Sequence, residues 1–120
     1  MGNYQNLRAW QLAMDLSVKS RPFIKRLPSE ERFALADQWR RAAYSVPLNI
    51  AEGASLKGVL EFRRHLDIAR GSLHEIAVIL ELAVRNGYFT NKELEELHQL
   101  RSECARCVWG LLRSIRRRCG

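Results

Sequence analysis

One stretch of the chain limits the fold more than any other. Phe62, Leu66, Ala69, Leu73, Ile76, Leu80 and Ala83 recur at spacings of 4, 3, 4, 3, 4 and 3. An α-helix turns once in 3.6 residues, so these seven side chains share one face. They form the a/d seam of a helix that packs on other helices. Val59, Ile79 and Leu82 widen the stripe to that of a bundle helix. Asn86-Gly87 ends it, with the glycine able to take the left-handed closing position. The expected helix spans about 58–86.

Three more segments share this rhythm, and none sustains the period of two that a strand needs. From Ser29 onward, Ala36, Trp39, Ala43, Val46 and Ile50 repeat at 3, 4, 3 and 4. Ser29 followed by Glu30 and Glu31 suits a helix start. Pro47 falls inside the pattern and is expected to kink the helix rather than end it. Near the C-terminus, Leu97, Leu100, Cys104, Cys107 and Leu111 form one seam, broadened by Leu94, Val108 and Ile115. Thr90 with Glu93 three residues on spells a capping box at its start. The first segment carries Trp10, Ala13, Met14, Leu16 and Ile24, with Pro22 expected to bend or shorten it. Helices of about 7–26, 29–53, 58–86 and 91–117 joined by short turns predict an up-down-up-down four-helix bundle. The class is all-α, and residues 1–120 make one domain. The apolar stripes are wide for so small a bundle, which points to burial between subunits.

The chain carries 20 Lys+Arg against 13 Asp+Glu, a net charge of +7. The excess is concentrated. Residues 101–120 hold six arginines against the single acid Glu103, which supplies five of the seven units. The basic residues are 16 Arg and 4 Lys, and the guanidinium fork suits phosphates and carboxylates. Arg106, Arg113 and Arg117, with Gly110 between them, follow helical spacing and form one stripe, flanked by Arg116 and Arg118. Arg63, Asp67, Arg70 and His74 make a mixed-charge stripe, and Arg40-Arg41 lie on the polar side of the second helix. Such stripes can run along a phosphate backbone with salt-sensitive affinity. The competing reading is a solvated face whose cations sit at a helix C-terminus.

Other chemistries find little support. No apolar run approaches the ~18 residues of a membrane span. The N-terminus lacks a signal peptide, and Asn6 stands where myristoylation needs Ser or Thr. An odd count of three cysteines does not suit a disulfide framework, so a reduced, cytoplasmic setting is expected. A di-iron bundle needs two Glu-x-x-His motifs, and only Glu95–His98 has that spacing. Cys104-Ala-Arg-Cys107 falls on the apolar seam, where free cysteines act as small hydrophobes. No metal or other cofactor is expected. Toxin-type helical RNases use an Arg with four to six residues before a His, a spacing that none of His65, His74 and His98 has.

The motifs also carry a resemblance. The run from Asp37 to Gly53, with Arg40-Arg41-Ala42-Ala43, Pro47 and Asn49-Ile50-Ala51-Glu52-Gly53, resembles "Q-x-R-R-A-A-x-S-I-P-x-N-I-A-E-G". That stretch marks a four-helix-bundle family whose founding members are encoded in intervening sequences of bacterial 23S rRNA genes. Glu61 to Glu75 resembles its "E-F-x-x-F-L-x-I-A-x-G-S-L-x-E", with His65 where an aromatic is commoner. Leu7 to Ala13 is similar to "L-x-V-W-Q-x-A". The resemblance implies a left-handed bundle that assembles as a ring-shaped homopentamer. It also implies likeness in fold to the accessory protein of diversity-generating retroelements, which binds nucleic acid and docks on a reverse transcriptase.

Within these motifs a structural role is expected for Pro47, Asn49, Glu52, Gly53, Gly71, Ser72 and Glu75. Gly71-Ser72 in mid-helix is expected to mark a close approach by another helix. Asn49 or Glu52 is expected to bridge groups freed by Pro47, such as the Ala43 carbonyl, or to tie the bend to the Ser72–Glu75 turn. Taken together, the sequence predicts a non-enzymatic, oligomeric bundle that binds structured RNA. Arg106, Arg113, Arg116, Arg117 and Arg118 are the leading contacts, followed by Arg40, Arg41, Arg63 and Arg70. The alternatives are a scaffold that docks an acidic partner or a reverse transcriptase, and a toxin-type RNase.

Overall fold

The computed structural model describes residues 3–55 and 58–119, with side chains described as far as residue 115. Among these, four α-helices follow in order: α1 (Arg8–Arg26), α2 (Leu35–Ser55), α3 (Val59–Arg85) and α4 (Glu95–Cys119). They stand side by side in a rod of 45 × 23 × 22 Å. Each packs on its two sequence or ring neighbours, α1 on α2 and α4, and α3 on α2 and α4. Up-down connection by short turns puts α1 diagonal to α3 and α2 diagonal to α4.

The α3 seam is buried over its whole length, from Phe62 to Ala83. Leu66, Ala69, Ile76, Leu80 and Ala83 reach zero exposure. Of the residues expected to widen it, Ile79 is buried, Val59 is half-buried and Leu82 stays exposed. At the C-terminal end Gly87 adopts φ 79°, and Tyr88 N–H and Gly87 N–H donate to Ala83 and Val84 carbonyls at 3.0 Å each. This Schellman closure needs a residue without a Cβ penalty at the left-handed position.

α2 starts later than expected. Ser29–Glu31 forms a short 3-10 turn, and the α-helix begins at Leu35 rather than near residue 29. The cap is Glu31, whose carboxylate accepts from Leu35 N–H at 3.3 Å. It also accepts from Tyr88 Oη–H at 2.5 Å, which ties the α3–α4 turn to the α2 entrance. Both prolines inside helices are absorbed: α1 runs through Pro22 and α2 through Pro47. A 3-10 turn at Tyr4–Asn6, absent from the sequence reading, precedes α1.

The capping box at α4 is present. Glu93 N–H donates to Thr90 Oγ1 at 3.1 Å, and Thr90 N–H donates to Glu93 Oε1 at 3.0 Å. The regular helix starts at Glu95, after one turn of looser geometry. The α4 core stripe is rotated from the expected seam. Leu94, Leu97, Cys104, Val108, Leu112 and Ile115 are buried, while Leu100, Cys107 and Leu111 are half-buried. A straight helix drifts against a strict seven-residue repeat by about 20° per heptad, enough to bring Val108 and Leu112 inward.

Candidate nucleic-acid interface

Helix α3 has a closed side and an open side. On the closed side it meets α2 through small and polar groups. A Cβ added at Gly53 would lie 2.7 Å from His65 Cβ and 3.2 Å from Phe62 Cδ1, so glycine is required there. Of the pair expected to mark a close approach, Ser72 is buried against α2, with its hydroxyl 2.8 Å from that of Ser45, whereas Gly71 is not, and the approach that forbids a Cβ is at Gly53. Gly71 is exposed, and a Cβ there would meet nothing within 4 Å.

Hydrogen bonds knit this closed side. Asn49 Nδ2 donates to Ser45 O at 2.9 Å and to Ser45 Oγ at 3.1 Å. Ser72 Oγ donates to Ser45 Oγ at 2.8 Å across the helix pair. Asn49 Oδ1 accepts from His65 Nδ1 at 2.9 Å, so the proton sits on Nδ1. Nε2 is left to accept from Arg64 Nη2 at 3.1 Å. Asn49 thus binds Ser45, not the Ala43 carbonyl. The stretch of α2 around Pro47 is tied to Ser72 through Ser45, which the sequence reading omitted. Glu52 and Glu75 point to solvent and take no part in this tie.

On the open side, α3 and α4 part around a cleft of about 600 Å³. It is lined by Asp67, Arg70, Gly71 and His74 from α3 and by Arg101, Ala105 and Trp109 from α4. The Arg70 guanidinium lies 4.8 Å from the centroid of the Trp109 ring, a cation–π stack. Large side chains at one level and the absent side chain of Gly71 at the next leave the space between the helices unfilled. An arginine pair beside an indole and an imidazole offers charge to phosphate and a flat face to a base.

The predicted arginines fall into three groups. Arg106 and Arg113 are exposed on α4, two turns apart and so on one face. Arg106 Nη1 donates to Ser102 Oγ at 3.0 Å, which holds the side chain along the helix. Arg63 is exposed on α3, two turns before Arg70. The side chains of Arg116, Arg117 and Arg118 lie outside the described residues. Arg40 and Arg41 form a separate group on α2, diagonal to α4. Both pair with Asp37, at 3.9 and 3.3 Å, so one carboxylate partly neutralises them. These two arginines do not join the α4 stripe.

Residues 5–110 match the family described as "23S rRNA-intervening sequence protein". The chain belongs to that family. No curated protein sequence matches the chain significantly. A solved structure from Bacteroides thetaiotaomicron, described as a protein with unknown function from the S23 ribosomal protein family, has the same fold. Its TM-score is 0.80 at 23% identity, covering 88% of this chain and 95% of that one.

Within this family fold, several residues of the candidate site escaped the sequence reading. Arg101 and Trp109 come to Arg70 and His74 only once α3 and α4 are docked. A faint signal was present, since Arg70 and His74 share a face at i, i+4, as do Arg101 and Ala105. A second basic cluster was also missed. Arg21 and Lys25 of α1 and Arg40 of α2 line one groove, and Arg32 extends it.

The remaining chemistry-bearing groups are packed away or held. Cys104 is buried, its Sγ–H donating to Ala9 O at 3.4 Å, and burial pushes its thiol pKa up to about 12. It stays protonated and inert at neutral pH. Among the described residues no group of three His, Cys, Asp or Glu is placed to hold a metal ion. Among them too, no helix is long and apolar enough to cross a membrane.

Proposed function

We propose that the chain is a non-enzymatic, self-assembling bundle that binds structured RNA on its α3/α4 face. The observation that carries this reading is the cleft where Arg70 stacks on Trp109 beside Arg101 and His74. Arg106 and Arg113 on α4, and Arg63 on α3, extend positive charge beyond it. Phosphates would meet the arginines, and an unpaired base could enter beside the indole. Arg40 and Arg41 are secondary contacts on another face. Self-assembly, as the homopentamer that the family resemblance implies, would repeat this face around the assembly and concentrate a modest charge per chain.

The test is a salt titration with a labelled RNA hairpin. Wild-type chain should retain the hairpin near 50 mM salt and lose it steeply as salt rises, and the RNA should be recovered at full length. Replacing Arg106 and Arg113 with alanine should flatten the slope of log K against log salt by about two phosphate contacts. No retention in low salt would sink the reading. One specific observation favours a nuclease instead, namely His74 in the cleft beside two arginines. RNA shortening that disappears in His74→Ala would replace the binding reading with that one.

A further inference from the structure

Two apolar faces of the chain have no partner within it, and we propose that they are the two halves of one contact between copies. The first is the groove between α1 and α2, about 440 Å³, lined by Tyr4, Trp10, Met14, Val18, Tyr44 and Leu48 with no charged side chain. Val18 and Leu48 are 65% and 66% exposed, unusual for core-type residues in the middle of regular helices. The second lies on α3. Ile68, Gly71, Glu75, Val78 and Leu82 recur at 3, 4, 3 and 4, a second seven-residue seam on the side away from the core. Val78 and Leu82 are 49% and 44% exposed.

The same chain therefore supplies a groove and a helix ridge with the repeat needed to fill it. The two do not overlap, because α3 packs on α2 and α4 and makes no packing contact with α1. The charges agree as well. The apolar groove runs on, through shared Ser17 and Tyr44, into the cations Arg21, Lys25 and Arg40. The one acid on the ridge, Glu75, makes no ion pair among the described residues. A groove meeting a ridge is a heterologous contact, which builds a ring when the rotation closes.

This inference rests on the self-assembly reading above and adds which faces meet. Its test is the solution mass by light scattering of two variants, alone and mixed. Val18→Glu with Leu48→Glu spoils the groove, and Val78→Glu with Leu82→Glu spoils the ridge. All four side chains are exposed, so circular dichroism should show unchanged helix content. Each variant alone should be a 13.9 kDa monomer. An equimolar mixture should give twice that mass and no more, because one intact groove and one intact ridge remain. A variant that stays assembled, or stops at a dimer alone, overturns the heterologous contact while leaving self-assembly standing. A monomeric wild type overturns both. If a glutamate pair disturbs folding, Val78→Lys alone decides, since that side chain is 49% exposed on the ridge: lost assembly supports the contact and retained assembly overturns it.

Discussion

Gly53 and Gly71 are both helical glycines in family motifs, and they do opposite things. Gly53 sits where α2 presses on α3, with room for no Cβ at all. Gly71 sits on the outer side of α3, with nothing within 4 Å of where its Cβ would be. Around the first, Asn49, Ser45, Ser72 and His65 satisfy one another and the two helices close. Around the second, Arg70, Trp109 and Arg101 hold a cleft open. A mid-helix glycine costs about 1 kcal/mol relative to alanine. At Gly53 packing within the chain repays that cost. At Gly71 nothing within the chain does, which directs attention to what lies outside it.

This contrast can be broken at several points. The largest effect is expected from Gly53→Val, where a branched side chain meets His65 and Phe62. Overpacking of this kind should cost up to about 3 kcal/mol, read as a lower midpoint in urea. Unchanged stability would mean that the α2–α3 contact is looser than described. Next comes Asn49→Leu, which strips the buried His65 Nδ1–H of its acceptor. Leaving such a group unpaired should cost about 1–3 kcal/mol by the same measurement. On the open side, Gly71→Ala is expected to stabilise the fold by up to about 1 kcal/mol, the opposite sign to any substitution at Gly53.

The smallest effect concerns pH. The Tyr88 hydroxyl is held by Glu31, which raises its pKa from 10.0 to about 12. The stability gained is present below pH 10 and is lost as pH rises toward 12. Tyr88→Phe should remove that alkaline loss in thermal melts, and an unaltered profile would contradict the assignment.

Much of the fold was legible because helix periodicity is local. The α3 seam from Phe62 to Ala83 and the α2 set of Ala36, Trp39, Ala43, Val46 and Ile50 are all buried as read. Misreadings arose where local rules compete. Ser29 looked like a cap, yet Glu31 performs that role because its carboxylate reaches Leu35 N–H. In α1, Met14 looked like core but is 38% exposed, while Ser17 and Ser20 lie inside, because the helix faces α2 and α4 at once. Of the cleft only the α3 half was legible, as the stripe of Asp67, Arg70 and His74. Arg70 and Trp109 are far apart in sequence, and only the docking of α3 on α4 sets their register.

The central claim is that the α3/α4 cleft is the RNA-binding face. The most direct measurement is the affinity of a labelled RNA hairpin across salt for the wild type and for Arg70→Ala with Arg101→Ala. The account predicts weaker binding at every salt concentration and a slope of log K against log salt flatter by about two contacts, with helix content unchanged. Equal affinity and equal slope in the two proteins would contradict it.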